Sequence, residues 1–157
     1  MQNQRFSIHS LTGFGIRGEV ILDAIGNSRL TEYSDFVLSY LGSEKMMLRK
    51  SAIENYIKIM KNVDAGLIWS FLKKETTAEV RVALINALQK STDLDPDYTE
   101  QILTWIGDGY SEKERLATIV LINARSEAFS RKKELFRNML TKERNPQIIK
   151  ALMEGLY

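Results

Sequence analysis

The apolar positions of this 157-residue chain recur in phase. In the stretch AEVRVALINAL, Val80, Ile85 and Leu88 sit one before, four after and seven after Arg81. That spacing puts them on one face of a helix. The same frame fits Leu48, Ile53 and Tyr56 around Arg49. It fits Ile119 and Ile122 after Arg115, with Glu114 in the preceding apolar slot. Ile148, Met153 and Leu156 surround Ile149, and Ile16, Ile21 and Ala24 surround Arg17. The reference positions 17, 49, 81, 115 and 149 are 32, 32, 34 and 34 residues apart. A fixed period between about 20 and 50 residues is the signature of stacked repeats.

Another amphipathic helix precedes each of the last four copies. It ends on Tyr40-Leu41, Phe71-Leu72, Trp105-Ile106 and Met139-Leu140, with Val37, Ile68, Ile102 and Phe136 one turn earlier. Asp95-Pro96 and Asn145-Pro146 each place a capping side chain before a proline at the first helical position. Ser111 and Glu114 fit a capping box. Glycines in LGS and GDGY suit the ends of the leading helices. No segment alternates with period two, so no sheet is expected. A small residue follows each reference position by two, at Ser51, Ala83, Ala117 and Ala151, which lets neighbouring helices approach closely.

The Val-Arg-x-x-apolar opening of the later helix in each pair resembles the HEAT-repeat family. Residues 15–157 carry the resemblance, AEVRVALINAL most closely and the first and last copies least. The period is shorter than the family's usual length of about 40 residues. The tetratricopeptide pattern of similar period is missing. The resemblance implies an all-α, right-handed α-solenoid of antiparallel helix pairs, with the second helices lining a concave side. Its repeats would be a degenerate first one at 1–30, then 31–62, 63–94, 95–127 and 128–157 of one domain. Most members act as protein-binding scaffolds. Some relatives bind nucleic acid, among them DNA alkylation-repair glycosylases.

Charge and chemistry narrow the function classes. Net charge is +2, and the halves on either side of Ala78 carry 10 Lys and Arg against 8 Asp and Glu, then 12 against 12. A global field for nucleic acid or membrane surfaces is therefore weak. There is no cysteine, hence no disulfide or zinc-thiolate site. No apolar run is long enough to span a membrane and the N-terminus lacks a secretory pattern, so a cytoplasmic location is expected. His9 is the single histidine and cannot form a metal site alone. Asp93, Asp95 and Asp97 read as a capped loop rather than a calcium array. No cofactor, metal or catalytic residue is expected.

The exposed stripe of the second helices should lie at plus one, plus five and plus eight. It comprises Lys50, Glu54 and Ile57, then Val82, Asn86 and Gln89, then Leu116, Val120 and Asn123, and ends on Lys150, Glu154 and Tyr157. An apolar centre with a polar rim suits a protein partner. The leading expectation is thus a non-catalytic interaction scaffold, or adaptor, that uses this face. The alternative is a nucleic-acid-binding HEAT-like protein related to the alkylation-repair glycosylases, using Lys50, Lys58, Lys90 and Arg125. The recurrent arginines read as stacking groups, and the basic stretch from Arg131 to Arg144 as a solvated face. Trp105 reads as core, while Trp69 could be core or a base-stacking platform. The last helix stops while still apolar, and such an end is expected to pack on a further domain, on a second copy or on a partner.

Overall fold

The computed structural model describes residues 18–157. Arg17, Ile16, His9 and the leading segment of the first repeat lie outside them. Among the described residues there are nine α-helices and no strand, and Val63 and Ser91 form an isolated parallel bridge. None of these helices is long and apolar enough to cross a membrane. The chain divides into two compact units, residues 1–60 and 61–157.

The first unit holds α1 (Gly18–Ser28), α2 (Ser34–Ser39) and α3 (Met46–Ile59). α2 is short because the chain tightens into a 3₁₀ turn over Tyr40–Gly42. Val37 and Leu41 are nonetheless buried, as the apolar pattern requires. α1 and α2 both pack on α3. Gly26 makes the α1–α3 approach possible, because a Cβ there would come within 2.8 Å of the Asn55 Cβ. Asn55 is buried at that notch and donates to Asp23 Oδ1 at 2.8 Å and to the Ser51 carbonyl at 2.9 Å.

The second unit holds α4 (Ala65–Leu72), α5 (Ala78–Leu88), α6 (Pro96–Thr104), α7 (Glu112–Ala124), α8 (Lys132–Leu140) and α9 (Pro146–Glu154). α7 packs between α5 and α9, with α4 on α5 and α8 on α9. Ala83, Ala117 and Ala151 are buried where these helices meet. The caps form as their sequences dictate. Asp64 accepts from Leu67 N–H at 3.0 Å, Asp95 from Asp97 N–H at 2.9 Å and Asn145 from Gln147 N–H at 2.9 Å. Both halves of the Ser111–Glu114 capping box are present.

Two placements differ from the apolar frame. Met153 was expected inside but is 48% exposed, and α9 instead buries Ile148, Ala151, Leu152 and Gly155. That set has the i, i+3, i+4, i+7 spacing of a helix face. Gly155 sets this rotation, since a Cβ there would reach within 2.5 Å of the Phe136 ring. Ala24 also lies outside, where Leu22 and Ile25 take the buried face of α1. Trp69, open between two readings in the sequence, is core. It is 3% exposed and stacks on Tyr98 at 4.3 Å and on Trp105 at 5.3 Å.

Candidate partner-binding face

The described arginines of the repeat frame, Arg49, Arg81 and Arg115, are held by groups of the chain itself. Arg81 Nε donates to Glu114 Oε1 at 2.8 Å, and its Nη1 donates to the carbonyls of Leu72 at 3.2 Å and Glu75 at 3.3 Å. Arg115 donates through Nε to the Ile106 carbonyl at 3.1 Å and pairs with the Glu143 carboxylate. Leu72 and Ile106 each lie nine residues upstream of their arginine. Each arginine therefore ties off the end of the preceding helical segment and reaches a carboxylate of the next pair. The Arg81 guanidinium also lies 5.4 Å from the Trp105 ring and 5.6 Å from that of Tyr110. In the first unit, Arg49 Nη1 donates to the carbonyls of Ser43 at 2.9 Å and Glu44 at 3.0 Å.

The two carboxylates are built to stay ionised. Burial pushes the Glu114 carboxyl up. Hydrogen bonds from the Ser111 hydroxyl, Arg81 and the Ser111 N–H outweigh that, together with the Arg81 charge, and hold it below its usual value of 4.5. Burial likewise pushes Glu143 up, and the N–H groups of Asn145 and Arg144 with the Arg115 charge bring it below 4.5. Glu143 and Glu75 both sit six residues before a reference position, and each accepts from the next two backbone N–H groups. That recurrence is visible in the sequence but is spaced outside the helix frame.

The plus-one, plus-five and plus-eight side chains are accessible on the last four second helices, whereas the plus-five and plus-eight residues of α1, Leu22 and Ile25, are buried. In the first unit Lys50 is half-buried and forms a 2.7 Å ion pair with exposed Glu54 on the same turn of α3. In the second unit Val82 and Gln89 are half-buried on α5 and Asn86 is exposed, with Gln89 Nε2 donating to Asn86 Oδ1 at 3.1 Å. On α7 Leu116 is half-buried and Val120 is 40% exposed. Asn123 is half-buried and uses its Nδ2 inside the chain, donating to the Ala151 carbonyl of α9 at 2.8 Å. On α9 Lys150, Glu154 and the large apolar Met153 are exposed, and so is Tyr157 beyond its end. The second unit thus carries accessible apolar groups on the middle and last of its three adjacent second helices.

The four cations of the nucleic-acid alternative have varied settings. Lys58 Nζ donates to Asn27 Oδ1 at 3.2 Å and to Asn55 Oδ1 at 3.0 Å. Arg125 Nη2 donates to the Thr92 carbonyl at 2.6 Å, Lys50 is paired as described, and Lys90 is exposed. The Asp93–Asp95 loop contributes, with Asp64 and Tyr98, to an open cleft of about 550 Å³. Among the described residues no three His, Cys, Asp or Glu side chains gather as metal ligands. A comparison of the chain with protein-family models, with curated proteins and with solved structures finds no match to any of them.

Proposed function

We propose that this chain is a HEAT-like, right-handed α-solenoid of one domain that works as a non-catalytic scaffold or adaptor in the cytoplasm. It binds a protein through the second-helix face, using Val82, Leu116 and Val120 as apolar contacts. Asn86 and Gln89 supply hydrogen bonds at the rim, and Lys50 and Glu54 are the corresponding positions on α3 of the first unit. Asn123 belongs to this face by position and also holds α7 to α9.

The observation that carries the reading is Val120, a large apolar residue 40% exposed on the middle second helix of its unit. Half-buried Leu116 lies one turn before it, and exposed Asn86 lies on the adjacent helix α5. Apolar groups ringed by polar ones are the composition of a protein interface core. Nucleic-acid binding through Lys50, Lys58, Lys90 and Arg125 is supported less well, because it needs those cations to be free to meet phosphates. Lys58 and Arg125 spend hydrogen bonds within the chain.

The test is affinity capture from source-cell lysate, with and without nuclease, read by mass spectrometry. A stoichiometric protein that survives nuclease supports the scaffold. Capture that vanishes with nuclease replaces it by the nucleic-acid reading.

A further inference from the structure

Two neighbouring leading helices of the second unit carry opposite charge. Between Thr92 and Tyr110 there are five carboxylates and no Lys, Arg or His. Between Arg131 and Arg144 there are six cations against Glu134 and Glu143, and Glu143 is already held by Arg115. Asp97 and Glu100 on the α6 side are exposed, as are Arg131, Lys133 and Arg137 on the α8 side. Among the described residues none of these five forms an ion pair. The two strips adjoin. Glu100, Leu103 and Thr104 of α6 line one shallow groove of about 230 Å³ with Arg131, which precedes α8, and with Glu134, Leu135 and Asn138 of α8, and Leu103 and Leu135 are half-buried there.

We propose that the α6–α8 face is a self-complementary docking surface for a second copy of this chain. Each copy lays its acidic α6 strip on the basic α8 strip of the other and covers Leu103 and Leu135. The charge arrangement selects this occupant. A polyanion drawn to α8 meets the α6 carboxylates beside it, and a polycation meets the reverse. A surface carrying the same two strips in exchanged positions meets attraction at both, and a twofold operation on this chain supplies that surface. Opposed patches of this kind set the orientation and salt dependence of association. The surface lies on the leading helices and does not depend on the scaffold reading of the second-helix face.

Sedimentation equilibrium of the full chain tests this directly. The wild type is expected to dimerise at about 20 mM salt and to lose at least about tenfold in association constant by about 200 mM, where the screening length falls below about 10 Å. Two variants isolate the strips, Asp97→Lys with Glu100→Lys, and Lys133→Glu with Arg137→Glu. Each is expected to be monomeric alone at low salt, because both of its contacts are repulsive. Mixed in equal amounts they form a heterodimer, and the chain carrying all four substitutions dimerises again. All the substituted side chains are exposed, and circular dichroism confirms that each variant is folded. A wild type that stays monomeric at low salt overturns the proposal, as does a mixture that fails to associate. So does a monomeric wild type that binds a labelled single-stranded oligonucleotide and loses it on Lys133→Glu with Arg137→Glu, an outcome that assigns α8 to a polyanion instead.

Discussion

Arg81 on α5 reaches Glu114 on α7 at 2.8 Å across 33 residues of sequence. Both side chains are largely buried, at 14% and 8% exposure. Glu114 occupies the slot where the other copies place an apolar residue, so its carboxylate would be stranded without the guanidinium. Removing one partner of such a pair costs about 3–5 kcal/mol, mostly from the charge left behind. Arg81→Ala is therefore expected to cost about 3 kcal/mol in urea denaturation. Arg81→Ala in a Glu114→Gln background should cost clearly less, because no charge is then abandoned. Equal costs in both backgrounds would mean that the pair contributes nothing beyond packing.

The same carboxylates give the fold a pH dependence. Glu114 and Glu143 both have folded-state pKa values below the usual 4.5. Stability from such groups is present above the unfolded-state value and disappears as pH falls through the lowered one. The unfolding midpoint is expected to be flat above about pH 5.5 and to drop steadily below about 4.5. Glu114→Gln with Glu143→Gln should flatten that acid limb while lowering stability at neutral pH. An unchanged acid limb in this double variant would place the titration elsewhere.

Gly26 and Asn55 test how closely α1 and α3 approach. An alanine inside a helix normally gains about 1 kcal/mol over glycine. Here the added methyl meets Asn55, and overpacking costs about 1–3 kcal/mol. Gly26→Ala is expected to destabilise in thermal unfolding despite its better helix propensity. Asn55→Ala in the same chain should recover part of that loss, and additive effects would show that the two positions do not touch.

Arg29 closes α1 with φ at +53°, in the left-handed region. Its N–H donates to the Gly26 carbonyl and the Leu30 N–H to the Ile25 carbonyl, the double closure that usually carries glycine. Left-handed backbone costs a non-glycine residue about 1 kcal/mol. Arg29→Gly should accordingly raise stability by about 0.5–1 kcal/mol in denaturant titration. A loss of stability would mean that the Arg29 side chain matters more than its backbone.

Much of the helical order was legible in the chain. Val37, Ile68, Ile102 and Phe136 are all buried one turn before the end of a leading helical segment, as their spacing requires. The caps at Asp95, Ser111 and Asn145 were readable because each satisfies backbone N–H groups within three residues. What escaped were relations between helices. Nothing local marks Glu114 as the partner of Arg81, and the Ser111 capping box fully accounts for it within its own turn. Met153 fits the repeat frame, yet the close approach at Gly155 rotates it outward. Trp69 adjoins a core position, and its place is decided by stacking on Tyr98 and Trp105 from another helix. The candidate face was located by periodicity, whereas the engagement of Asn123 with Ala151 needed the packed neighbour.

The proposed function requires that the second-helix face around Val120 be a binding surface and not part of the core. Capture by folded Val120→Glu, run beside the wild type with its unfolding midpoint recorded, tests it most directly. A surface substitution usually changes stability by no more than about 0.5 kcal/mol, so a folded variant that no longer retains the nuclease-resistant protein is expected. A variant that unfolds, or one that retains the same protein at the same stoichiometry, would contradict it.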